Sequence, residues 1–91
     1  MSLNLADSAL QARLSAVWER ETGYSLTGWR SGPLAGTWTA DGPGQISFLP
    51  QGFAFGKFYN EDGERWMTDS EAAGIRALHR ELREARGEAG A

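Results

Sequence analysis

Three clusters of turn-forming residues, Asp41-Gly42-Pro43-Gly44, Pro50-Gln51-Gly52 and Asn60-Glu61-Asp62-Gly63, cut the middle of this chain into pieces too short for helices. Gly reaches positive φ without steric cost, Pro fixes its own φ, and Asn and Asp side chains fold back on their own backbone. Each cluster therefore reads as a tight turn. The pieces between and beside them are Thr37 to Ala40, Gln45 to Leu49, Phe53 to Tyr59 and Glu64 to Thr68. They are β-prone and read as strands. Links this short cannot make the crossover that parallel neighbours require, so an antiparallel meander follows.

On either side the apolar period changes from two to three and four. Leu10, Leu14, Val17 and Trp18 share one helical stripe, which predicts a helix from about Asp7 to Thr22, capped by Asn4 or Asp7 and ended by a left-handed Gly23. Thr68-Asp69-Ser70-Glu71 has the form of a capping box, in which the Thr hydroxyl and the Glu carboxylate each satisfy a free backbone donor. The helix it opens is expected to bury Ile75, Leu78, Leu82 and Ala85 and to run to about Arg86, leaving 87–91 as a frayed tail. Tyr24 to Leu34 is rich in Gly and Ser and is expected to be an ordered connection anchored by Tyr24 and Trp29. These elements define an α+β fold in the order α-β-β-β-β-α, a single domain over residues 1–91 with both helices on one sheet face. The other face is left partly uncovered.

Composition limits the chemistry. The chain has no cysteine and one histidine, His79, which rules out thiolate metal ligation, a cysteine nucleophile and a typical structural zinc site. His79 falls at the edge of the apolar stripe and reads as a half-buried packing residue. No phosphate loop or dinucleotide fingerprint occurs, and Gly23-Tyr24-Ser25-Leu26-Thr27-Gly28 is one residue too long for a nucleophile elbow. No catalytic residue, metal or cofactor is expected, and the protein is not read as an enzyme. No apolar run approaches the ~20 residues of a membrane span and no leader pattern opens the chain, so a soluble cytoplasmic protein with no membrane partner is expected.

With a net charge of −3, the chain as a whole repels phosphate. Arg76, Arg80 and Arg83 nevertheless share one side of the last helix, while Glu61, Asp62, Glu64, Asp69 and Glu71 crowd the preceding turn and cap. The arginine stripe, together with Lys57, Tyr59 and Trp66, forms the candidate partner-binding set, because exposed aromatics beside Arg are the usual material of binding hot spots.

Gly52, Phe53, Ala54, Phe55 and Phe58 resemble the aromatic strand of RNA-recognition domains. The resemblance implies that Phe53 and Phe55 face solvent and stack on bases, with Phe58 in the core. Gln51 stands where that pattern has a basic residue, and Gly56 where it has an aliphatic one. A second arrangement follows from Gly56 itself: a bulge there resets the alternation and sends Phe53, Phe55 and Phe58 together into the core, with Lys57 and Tyr59 outward. Burial of period-two aromatics makes the bulge the expected arrangement. With the acidic balance and Gln51 in place of a basic residue, direct nucleic-acid binding is not expected.

In length, acidity and lack of a catalytic motif the chain resembles the small phage-encoded inhibitors of host defence, such as anti-CRISPR proteins. The resemblance implies a non-catalytic protein that binds and modulates a larger protein complex, a CRISPR effector or another nucleic-acid-handling assembly in the host cell. The alternatives are a single-stranded RNA- or DNA-binding module using Phe53 and Phe55, and a small virion or assembly component.

Overall fold

A computed structural model describes residues 3–87, so 88–91 of the tail expected over 87–91 lie outside the described residues. Helix α1, Ser8–Thr22, starts where the Asp7 carboxylate accepts from the Ala9 N–H, and it stops at Gly23 with φ 79°. Four strands follow: β1 Thr27–Ser31, β2 Trp38–Asp41, β3 Gln45–Leu49 and β4 Phe53–Lys57, in one antiparallel sheet of order β1-β2-β3-β4. A two-stranded ladder, β5 Tyr59–Asn60 and β6 Gly63–Glu64, leads into helix α2, Asp69–Ala85, which opens with the expected capping box.

The α+β order is therefore as the sequence predicts, while the membership of the sheet differs. Its first strand comes from the segment expected to be a connection. In β1 only Trp29 turns inward, stacking on Phe48 with ring centroids 5.0 Å apart, so the strand carries no alternating pattern to read. Gly28, with φ 66°, lies in a register shift between Thr27 and Arg30, which further disguises it. Conversely, the predicted strand Glu64 to Thr68 pairs only at its start, and Phe53 to Tyr59 divides at Phe58 into β4 and β5.

The core lies between the helices and one face of the sheet. Ala40, Ile46, Phe48 and Ala54 turn toward the helices and meet Leu14, Val17 and Trp18 of α1 and Ile75, Leu78 and Leu82 of α2. Trp18 is fully buried; its ring stacks with Phe58, and its indole N–H donates to the Gly42 carbonyl at 2.7 Å. Gly74 lets α2 press onto that indole, since a Cβ at this position would stand 2.6 Å from Cζ3 of Trp18. Gly74→Ala is thus expected to destabilise the protein by about 1 kcal/mol or more in urea unfolding, because overpacking outweighs the gain in helix propensity. A stabilised variant would mean that Trp18 has room to move.

Candidate functional site

Several of the exposed large apolar side chains lie in β4 and the segment after it. The ladder pairs Ile46 with Gly56, Ser47 with Phe55 and Phe48 with Ala54 in unbroken register, so no bulge exists at Gly56. Paired residues share a face. Phe53, Phe55 and Lys57 therefore lie on the sheet face opposite the core, with Phe53 and Phe55 being 53% and 58% exposed, while Phe58 is 3% exposed in the core. This corrects the expectation that Gly56 turns all three phenylalanines inward. The reason is steric: α2 and the Phe58 ring occupy the inner side of β4, where only Ala54 and Gly56 fit. A Cβ on Gly56 would stand 2.5 Å from the Phe58 ring.

Helix α2 runs antiparallel to β4 beside it. His79, half-buried, lies with Nε2 2.8 Å from the Ala54 carbonyl oxygen, so this ring nitrogen carries the proton and donates. The ring also meets Phe53 edge-on at 6.2 Å. At about 100° per residue, Arg83, Arg76 and Arg80 lie roughly 40°, 60° and 100° round the helix from His79, on the side away from the buried Ile75, Leu78 and Leu82. All three are exposed, and among the described residues none is ion-paired. The stripe thus flanks His79, which in turn touches Phe53.

At the other end of β4 the chain projects. Every residue from Tyr59 to Ser70 is exposed except Arg65, and Trp66 is 94% exposed. Lys57 reaches Glu64 at 3.5 Å; the negative charge of the ionised Tyr59 phenolate first, and Glu64 second, raise its pKa. Lys57, Tyr59 and Trp66 therefore sit together as a group, and the arginine stripe lies further along α2. Exposed Met67 belongs with them but is not among the residues the sequence marks out. It falls inside the expected strand Glu64 to Thr68, of which only the start is paired.

The root of the projection is rigid. Arg65 makes a two-pronged ion pair with Glu71, Nη1 to Oε1 and Nη2 to Oε2 both at 2.7 Å, and Oε1 also accepts from the Thr68 N–H at 2.8 Å. The guanidinium lies over the Phe58 ring, 5.2 Å from its centroid. Glu71, only 2% exposed, has its pKa lowered from 4.5 to about 2. The Arg65 hydrogen bonds are the main cause; desolvation opposes them, and the Thr68 N–H and hydroxyl add to the lowering. A depressed folded-state pKa contributes stability above the unfolded-state value and loses it below. Acid titration is therefore expected to remove on the order of 3 kcal/mol as the pH falls from about 4.5 through about 2. Glu71→Gln should flatten that part of the stability profile measured by urea unfolding, and an unchanged slope would remove Glu71 as its source.

Among the described residues no three His, Cys, Asp or Glu side chains are grouped to hold a metal ion, and no helix is long and apolar enough to cross a membrane. No protein-family model, curated protein or solved structure matches the chain.

Proposed function

We propose that this is a non-catalytic protein that binds and modulates a larger protein assembly, using the surface along β4. The observation that carries this reading is the succession of exposed aromatics Phe53, Phe55, Tyr59 and Trp66 along β4 and the segment that follows it, none of them part of the buried core. Isolated exposed apolar residues are ordinary, but a run of large aromatics marks an interaction surface. The surface is bipolar: Arg76, Arg80 and Arg83 lie at one end, and Glu61, Asp62, Glu64 and Asp69 at the other. A protein with matching opposite charges fits both ends, whereas a uniformly anionic strand is repelled at the second. An assembly that handles nucleic acid in the host cytoplasm, such as a CRISPR effector, is the partner class proposed. The test is co-purification from the native host followed by titration of the captured assembly. Arg76→Glu, Arg80→Glu and Arg83→Glu together should preserve the fold and weaken binding about tenfold or more. Unchanged affinity removes the stripe from the site.

A second reading rests on a specific feature, the outward Phe53 and Phe55, which have the disposition of base-stacking residues beside unpaired arginines. Under the leading proposal, fluorescence anisotropy with labelled single-stranded oligonucleotides detects only weak, salt-sensitive binding. A salt-resistant submicromolar complex lost in Phe53→Ala reverses the order of the two.

A further inference from the structure

We infer that residues 59–69 form a pre-shaped prong that seats in a basic groove of a protein partner, with Trp66 filling an apolar socket there. This inference rests on the protein-binding reading and names the anchoring element and the chemistry of what it meets. Tryptophan is highly buried on average, and each one buries on the order of 150–250 Å² when covered. Trp66, at 94% exposed, contributes nothing of that kind to the fold. Its backbone, by contrast, is held firmly. The Arg65 guanidinium that grips Glu71 also donates to the Trp66 carbonyl at 3.1 Å, and the Arg65 N–H donates to the Phe58 carbonyl at 3.1 Å. Further out, the Asp62 N–H donates to the Asn60 side chain at 2.9 Å and closes the turn between β5 and β6. An anchor presented on a fixed backbone loses little freedom on binding, which is where preorganisation gains affinity.

The shape and charge around Trp66 define the occupant. Behind the indole a cleft of about 230 Å³ opens between Gly56, Lys57 and Phe58 on one side and Glu64, Arg65 and Met67 on the other. It offers a recess for a side chain of the partner while Trp66 enters the partner in turn. Glu61, Asp62, Glu64 and Asp69 are all exposed within the same segment as the anchor, and of these four only Glu64 is ion-paired among the described residues. A nucleic-acid strand or an anionic lipid surface is repelled by these carboxylates. A groove lined with Lys and Arg is attracted by them, and an apolar socket between those side chains accepts the indole.

The experiment places the photoreactive residue benzoylphenylalanine at position 66, and separately at positions 55 and 80, in the intact chain expressed in its native host. The protein captured is then purified and titrated with wild type, with Trp66→Ala and with Glu61→Lys/Asp62→Lys, all checked for folding by circular dichroism. Support consists of cross-linking from position 66, a loss of about thirtyfold or more in affinity for Trp66→Ala, and a charge-reversal loss that shrinks at high salt. Capture from position 55 or 80 only, with Trp66→Ala within about threefold of wild type, overturns the prong and leaves the protein-binding reading standing. Capture of nucleic acid at position 66, or of nothing at any position, overturns both.

Discussion

Phe58→Ala is expected to lower stability by roughly 3–5 kcal/mol, whereas Phe55→Ala, three residues earlier in the same aromatic run, costs less than about 1 kcal/mol. The Phe58 ring stacks on Trp18, lies under the Arg65 guanidinium and fills the space beside Gly56, so its removal leaves a cavity at the junction of α1, β4 and the prong. Phe55 stands on the open face opposite Ser47 and leaves no cavity. For a domain of this size, whose total stability is about 5–14 kcal/mol, the first loss shifts the melting temperature by roughly 15–30 °C. Chemical denaturation of the two variants side by side is the measurement. Similar midpoints would mean that the inner and outer faces of β4 have been assigned wrongly.

That contrast also marks how far the sequence can be read. Alternation along Phe53, Ala54, Phe55 and Gly56 separates the residues into two faces but does not say which face is inside. Size alone suggests the phenylalanines. The deciding fact is three-dimensional: α2 and the Phe58 ring come so close to β4 that only small residues fit beneath them, and nothing within β4 announces a helix that begins a dozen residues later. The helices themselves were legible because their signals are local, the stripe of Leu10, Leu14, Val17 and Trp18, the Gly23 terminator and the Thr68–Glu71 box. β1 was not, because one inward Trp29 among Thr27, Gly28, Arg30 and Ser31 makes no pattern. For the candidate site, the arginine stripe followed from helical spacing. The rigid projection did not, because it depends on Arg65 meeting Glu71 six residues away.

Breaking that ion pair is the second large effect expected. Arg65→Ala leaves the Glu71 carboxylate buried without its two strongest hydrogen bonds, and a buried charge stripped of its partner typically costs about 3–5 kcal/mol. The loss should be greatest near neutral pH and smaller in acid, where protonation of Glu71 removes the unpaired charge. A double-mutant cycle with Glu71→Gln separates the pair from the cap, since Gln retains an acceptor for the Thr68 N–H while lacking the charge. Additivity within about 0.5 kcal/mol would show that the two residues are not coupled. Because the same guanidinium holds the Trp66 carbonyl, variants that keep their fold at low temperature should also show a less ordered Trp66, visible as a change in fluorescence anisotropy.

The contacts of the outermost described residues have a practical consequence. The Leu3 N–H donates to the Pro50 carbonyl at 2.9 Å, and Arg86 donates to the neighbouring Gln51 carbonyl, so both ends of the described chain are moored to a single turn. From that turn β4 leads away toward Lys57, a run of about 20 Å at roughly 3.3 Å per residue. A biotin, dye or surface linker attached beside either mooring therefore occupies the pole opposite Trp66. A sensor chip coupled through that turn displays the prong outward.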